Sequence, residues 1–210
     1  MGSTGTISLN KAIVIIVAST LAFIASGIAV GYQVYWNRYD QRPQIVKDQE
    51  AFKTQVRANP DDADSHLNLG WTYYEQGKKE MALKEYKKAL SLDEENIGAI
   101  YNIGLVQKDL KNYQEAERQM KEVLRRAPFH ELATYTLAQV YRESKQYDQA
   151  RDQYIQALKV SPASANIITE LGMVYEAQGK KADAIKQYKE ALRFVPDLKE
   201  AQAGLKRLTG

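Results

Sequence analysis

Four alanines spaced 34 residues apart mark four copies of one pattern, and they are Ala82, Ala116, Ala150 and Ala184. A fixed period of this length is typical of stacked helix pairs, in which each pair buries its apolar side against the next. Such arrays build an extended surface rather than a catalytic pocket. The spacing therefore predicts a binding protein.

The four copies cover residues 63–96, 97–130, 131–164 and 165–198. Their eighth position holds a small residue: Gly70, Gly104, Ala138 or Gly172. Their 24th position holds a bulky one: Tyr86, Met120, Tyr154 or Tyr188. A small residue lets two helices approach closely, and a bulky residue fills the space beside it. Proline at the 32nd position ends the second helix of the last three copies, as Pro128, Pro162 and Pro196.

These residues resemble the tetratricopeptide repeat family over the whole range Ala63–Leu198. The resemblance implies an all-α fold, a right-handed α-solenoid of four helix–turn–helix units. Three positions depart from the family pattern, namely Glu94, Gln107 and Met120, all in or next to the second copy. They predict looser packing there and leave the fold prediction unchanged.

Segments on both sides of the repeats fit the role of caps, which the terminal units of an array need because they lack a neighbour. Residues 37–62 are predicted to form a linker and an N-terminal capping helix, with the helix over Pro43–Ala58. Residues 199–210 are predicted to form a C-terminal capping helix, with Ala201, Leu205 and Leu208 as its apolar stripe.

The stretch 12–36 contains no Asp, Glu, Lys or Arg. Because a bilayer core of about 30 Å needs roughly 20 apolar residues as helix, this stretch predicts a transmembrane helix after a short tail, residues 1–11. A cleaved signal peptide is the alternative, with Ala29-Val30-Gly31 as its weak cleavage site. The prediction is a single-pass protein of a bacterial-type cell membrane, and the positive charges after the helix favour a cytoplasmic repeat domain. A repeat domain on the opposite side of the membrane is the alternative, because a single N-terminal anchor can translocate a long domain whatever its charge.

Gly27 and Gly31 lie in that stretch at a spacing that permits close helix–helix packing. They leave a second function open. The chain could be a structural subunit or assembly factor of a membrane protein complex, whose transmembrane helix packs on other helices, and it could also form an oligomer.

Catalytic and cofactor chemistry finds no support in the sequence. The chain has no cysteine, and its two histidines, His66 and His130, have no partners at the spacing of a metal site or a catalytic triad. Acidic and basic residues alternate without a basic run, which argues against nucleic-acid binding. We therefore expect no enzyme activity, no cofactor, no metal and no nucleic-acid partner.

In the tetratricopeptide repeat family, the first helices of the repeats line a concave groove that holds a partner protein or peptide. Carried onto this chain, the resemblance implies a groove lined by Leu67, Asn68, Trp71, Tyr74, Tyr101, Asn102, Leu105, Tyr135, Gln139, Arg142 and Met173. Packing of several of these aromatic residues between repeats is the alternative.

Family members that grip a terminal carboxylate use a cluster of Lys and Arg in the groove, and Leu67, Leu132 and Thr136 occupy those positions here. We therefore expect a ligand with apolar anchors and neutral or basic flanks. The predicted function is that of a non-enzymatic, membrane-tethered scaffold.

Overall fold

The computed structural model describes residues 43–210. Residues 45–210 form one compact unit. This part of the chain contains ten helices and no strand. They are α1 (Gln44–Ala58), α2 (Ala63–Glu75), α3 (Lys79–Leu92), α4 (Ile97–Asp109), α5 (Tyr113–Arg126), α6 (Glu131–Glu143), α7 (Tyr147–Val160), α8 (Ala165–Ala177), α9 (Lys181–Phe194) and α10 (Lys199–Thr209). The all-α prediction is confirmed for these residues.

Polar side chains just before the first helices fix where those helices begin. The Asp62 carboxylate accepts a hydrogen bond from the Ser65 amide at 3.1 Å, and the Asn96 side-chain oxygen accepts from the Ala99 amide at 2.8 Å. Such caps satisfy amide groups that have no partner within the helix. The turns inside the repeats need a left-handed residue, supplied by Gly77, Lys111, Lys145 and Gly179 with φ of 72°, 62°, 63° and 73°.

Close packing between the two helices of a repeat follows from the small and bulky positions seen in the sequence. A Cβ atom added to Gly70 would lie 2.6 Å from the Tyr86 ring, and one added to Gly172 would lie 2.8 Å from the Tyr188 ring. The bulky residue is fully buried in all four repeats, and Met120 in the second repeat is no more exposed than the three tyrosines. Methionine thus fills the position that tyrosine fills elsewhere.

The first helices of the repeats lie on the inner side of the array. Each second helix packs on the first helix of the following repeat, and consecutive first helices also touch directly, α2 with α4 and α4 with α6. At the N-terminal end, Phe52 and Val56 of α1 pack against the cluster around Leu69 and Tyr73. At the other end, α10 places Gly204 against the ring of Tyr188.

The predicted single-pass membrane location is contradicted by the helices in the described part of the chain. Between residues 43 and 210, no helix combines the length and the apolar character that a membrane span requires. The longest of these helices, α1, has 15 residues. At about 1.5 Å per residue it is shorter than a hydrocarbon core of roughly 30 Å. The stretch 12–36 with Gly27 and Gly31, on which the prediction rested, lies outside the described residues.

Candidate partner-binding groove

The predicted groove residues all lie on the four inner helices, α2, α4, α6 and α8. None of the eleven is fully buried, and Asn68 and Trp71 are the most open of them. The structure therefore brings this set onto one face of the array. The contacts that these residues make differ between the two ends of that face.

At the N-terminal end, the inner face carries polar and apolar groups without partners. The Trp71 side chain is 44% exposed. Asn68 and Asn102 lie at equivalent positions of the first and second repeats, and neither side-chain amide has a hydrogen-bond partner within residues 43–210. Leu105, half-buried, lies one turn beyond Asn102 on α4. These four residues are called the open half of the groove below.

Bridges between neighbouring inner helices begin at the twelfth position of each repeat. In the first repeat, the Tyr74 hydroxyl donates to the Asp109 carboxylate at 2.7 Å. In the second, the Lys108 ammonium donates to the Gln139 side-chain oxygen at 3.1 Å. These bridges fix the spacing of adjacent repeats.

The bridges continue toward the C-terminus as ion pairs. In the third repeat, Arg142 Nε lies 2.7 Å from a Glu170 carboxylate oxygen, an ion pair in which the N–H is not well directed. In the fourth, Glu176 accepts two hydrogen bonds from Arg207 of α10, at 3.0 and 2.9 Å. The last inner helix is thereby tied to the C-terminal cap.

Toward the C-terminus, the residues equivalent to Asn68 and Asn102 have polar partners on neighbouring helices. Thr136, which corresponds to Asn68 and Asn102, lies 3.3 Å from the Tyr101 hydroxyl. Glu170, the next equivalent residue, also accepts from the Tyr154 hydroxyl at 3.1 Å. Met173 has no polar or ring contact among the described residues, and it lines a cleft of about 230 Å³ with Tyr135, Asn166, Thr169, Glu170, Leu198 and Glu200. We call this region the paired half.

The aromatic residues divide in the same way. The Tyr135 ring packs edge-on against Tyr154 with ring centroids 6.0 Å apart, and the Tyr101 ring lies 5.4 Å from that of His130. These two tyrosines therefore make ring contacts inside their own repeats, 131–164 and 97–130. Trp71 makes no ring contact within the described residues and stays open to solvent.

Electrostatics keep the bridging hydroxyl groups protonated. Burial, followed by the hydrogen bond to Asp109, raises the pKa of Tyr74. Burial, followed by the negative charge of Glu170, raises the pKa of Tyr135. The hydrogen bonds from Arg207 lower the pKa of Glu176, whose carboxylate stays charged as an acceptor. The groove thus presents fixed donors and acceptors rather than groups ready for proton transfer.

The two histidines have structural partners in this fold. His66 is buried, with Nδ1 2.7 Å from a Glu85 carboxylate oxygen and Nε2 3.0 Å from the Pro60 carbonyl oxygen. His130 caps α6 by accepting a hydrogen bond from the Ala133 amide at 3.1 Å. Within residues 43–210, no group of three or more His, Cys, Asp or Glu side chains is placed to hold a metal ion.

Sequence reasoning missed the donor that completes the last bridge. Arg207 of the capping helix α10 reaches back to Glu176 of α8. An acid at the twelfth position of the last repeat, with a basic residue 31 residues later, is the signal that could have found this pair.

Comparison with known proteins agrees with this architecture. Models of the tetratricopeptide repeat match residues 52–84, 96–163 and 131–197, and a model described as TPR repeat matches 71–111. Together they cover the chain continuously from 52 to 197. The chain belongs to the tetratricopeptide repeat family.

Individual relatives share the repeats rather than a whole architecture. Human Superkiller complex protein 3 is 30% identical over 93 residues, which is 44% of this chain and 6% of that protein. The Xenopus laevis tetratricopeptide repeat protein 37 is 30% identical over 91 residues. The chain thus spans about 6% of the length of the curated relatives it matches.

Solved structures extend the similarity to most of the described chain. The crystal structure of MamA aligns with a TM-score of 0.64 at 26% identity, covering 70% of this chain and 85% of that one. YrrB, a TPR protein with an unusual peptide-binding site, aligns with a TM-score of 0.65 at 24% identity, covering 76% and 82%. At that identity the second comparison supports the fold alone.

Proposed function

We propose that this protein is a non-enzymatic scaffold that binds an extended segment of a partner protein along the open half of its groove. Unpaired side-chain amides of Asn68 and Asn102 beside the exposed Trp71 are the observation that carries this proposal. A side-chain amide offers both a donor and an acceptor, which match the carbonyl and amide groups of a peptide backbone. Exposed tryptophan is a frequent anchor in protein interfaces.

The spacing of the two asparagines suits an extended chain. Adjacent packed helices lie about 8–10 Å apart, and an extended peptide rises about 3.3 Å per residue. Asn68 and Asn102 would therefore contact backbone groups about three residues apart. Trp71, one turn beyond Asn68 on α2, would contact an apolar side chain of the same peptide.

The charges of the inner face define the chemistry of the ligand. Lys108 is engaged by Gln139 and lies 3.8 Å from Asp109, and Arg142 is paired with Glu170. Neither cation is left to bind a terminal carboxylate. Asp64 and Glu75, on the same helix as Trp71, are exposed acids. A ligand with an apolar anchor and neutral or basic flanks fits best, because an acidic flank would be repelled.

Selection from a library of random peptides on the full-length protein tests the proposal. We expect selected peptides to bind the wild type and to lose at least tenfold in affinity for the Asn68→Ala/Asn102→Ala variant, measured by fluorescence anisotropy. Gln139→Ala is the matched control, because it removes a side-chain amide that is already engaged. Affinity for the control should change less than threefold.

Peptide chemistry adds a second check on the same groove. Amidation of the C-terminus of a selected peptide should leave its affinity unchanged. Equal binding to the wild type and to the double asparagine variant would contradict the proposed site. Loss of binding on amidation would contradict the proposed ligand chemistry.

A further inference from the structure

A second surface, away from the groove, exposes apolar residues at the turns between repeats. The Phe129 side chain is 89% exposed in the turn between α5 and α6. Val160, the last residue of α7, is 50% exposed beside the following turn. Both turns join a second helix to the next first helix, so they lie on the same edge of the array.

Exposure of an aromatic ring to water is energetically unfavourable. The corresponding turn after the first repeat has charged residues instead. Asp93, Glu94 and Glu95 occupy that turn, and all three are exposed acids. The apolar character is therefore not required by the turn itself. An exposed apolar cluster of this kind is typical of a contact with another molecule.

A pocket of about 220 Å³ lies directly beside the exposed ring. Its apolar lining comes from Phe129, Ala157, Val160 and Ile167. An apolar cavity of about 150 Å³ is large enough to bind benzene, so this pocket can accept a phenyl ring. The edge thus carries an exposed phenyl ring directly beside an apolar pocket that can bind such a ring.

Two opposite charges border the same pocket without neutralising each other. Glu131 accepts only a long hydrogen bond from the Ser161 hydroxyl at 3.5 Å and pairs with no cation within residues 43–210. Lys159 has no acceptor in that part of the chain. An occupant of this surface should therefore supply a base to Glu131 and an acid to Lys159 as well as an apolar side chain.

We propose that this edge, defined by Phe129, Glu131, Lys159 and Val160, binds the same edge of a second copy of the chain. In a two-fold pair, one patch meets itself, and each residue of one copy contacts its complement in the other. Phe129 of each copy enters the pocket of the other, and Glu131 of each copy faces Lys159 of the other. This arrangement covers both rings and neutralises all four charges at once.

The contact is expected to be weak. A stable interface buries about 800 Å² on each partner, and a few side chains at one edge contribute less. The dimer should therefore form only at high protein concentration. It leaves the open half of the groove free, so Trp71→Ala should dimerise as the wild type does.

Charge reversal tests the pairing by sedimentation velocity over a range of concentrations of the full-length protein. The wild type should dimerise as its concentration rises, while Glu131→Lys and Lys159→Glu should each stay monomeric, because like charges then meet. A mixture of the two single variants should dimerise again, and so should the double variant. Phe129→Ser should also stay monomeric, with circular dichroism showing an unchanged fold in every variant.

Several results would overturn the proposal. One is a wild type that remains monomeric up to its highest soluble concentration. Another is an association that the single charge reversals leave intact. Failure of the mixed variants to associate would also refute it, because a reciprocal pairing of Glu131 with Lys159 requires that rescue.

Discussion

The open half and the paired half of the inner face are built from the same repeat positions and differ in what those positions contact. In the open half, Asn68 and Asn102 have amides without a partner in the described chain, and Trp71 is exposed. In the paired half, Thr136 and Glu170 at the equivalent positions are held by Tyr101, Tyr154 and Arg142. A repeat position therefore defines where a side chain points, and its neighbours decide whether it is available.

The difference suggests that one end of the solenoid contributes mainly to stability and the other mainly to partner binding. Hydrogen bonds and ion pairs between neighbouring inner helices hold the last two repeats and the cap together, where Arg207 closes the series on Glu176. Groups left unpaired on the first two repeats can be satisfied by a partner instead. Substitutions in the open half should therefore lower affinity for a partner. Substitutions in the paired half should lower the stability of the fold.

The largest effect is expected for Trp71→Ala, set against Met173→Ala at the equivalent position of the fourth repeat. Loss of an interface tryptophan typically costs 2 kcal/mol or more, which is about 30-fold in affinity. Met173→Ala should change the affinity for a selected peptide less than threefold in the same anisotropy assay. A comparable loss with Met173→Ala would mean that the peptide continues into the cleft of the paired half.

Arg142→Met should have the reverse profile, with lower stability and nearly unchanged peptide affinity. It leaves the Glu170 carboxylate without its cation, and complete burial of such a charge costs about 3–5 kcal/mol. Because the two side chains are 29% and 18% exposed, we expect a loss of about 1–2 kcal/mol by urea denaturation. A large loss of peptide affinity at unchanged stability would contradict the assignment of Arg142 to a structural role in the paired half.

Lys145→Gly should stabilise the protein without touching either half. Lys145 has φ of 63°, where a side chain costs about 1–2 kcal/mol, although glycine also loses more entropy on folding. A net gain of about 0.5–1 kcal/mol is expected. Gly179→Ala, at the same turn position of the fourth repeat, should lower stability by a similar amount, and unchanged thermal midpoints for both would refute this explanation.

The smallest effect concerns pH and the last bridge of the paired half. The pKa of Glu176 is lowered in the folded protein by its hydrogen bonds from Arg207. Its contribution to stability is therefore complete above the unfolded value of about 4.3 and is lost as pH falls through the lower folded value. Because Arg207 is 55% exposed, the contribution should be only a few tenths of a kcal/mol.

Glu176→Gln removes the group that titrates and so tests that contribution. Thermal midpoints of the wild type and the variant should converge as pH is lowered from neutral to about 3. Parallel curves over that range would show that the bridge contributes no pH dependence.

The sequence predicted the repeats because their packing is local and periodic. Tyr86 and Gly70 meet within one repeat, so the 34-residue spacing was enough to predict the helix pairs. The groove residues were expected from the resemblance to the family. The sequence could not predict which groove residues would be engaged. Tyr74 with Asp109 and Arg142 with Glu170 are pairs between repeats, and they depend on side-chain reach across two helices.

The membrane prediction rested on a different kind of signal. Apolar composition over 12–36 indicates only that a segment avoids water, and none of the helices of residues 43–210 could span a membrane.

Met120 departs from the family pattern, and its side chain is nevertheless completely buried.

Side-chain N–H signals in nitrogen–proton NMR spectra would test the central claim most directly. The chain has two tryptophans, Trp36 and Trp71, so two indole signals are expected. On saturation with a selected peptide, the Trp71 indole signal and the amide signals of Asn68 and Asn102 should shift, while that of Gln139 stays in place. Shifts confined to Gln139 and the paired half, with Trp71 unmoved, would contradict the account.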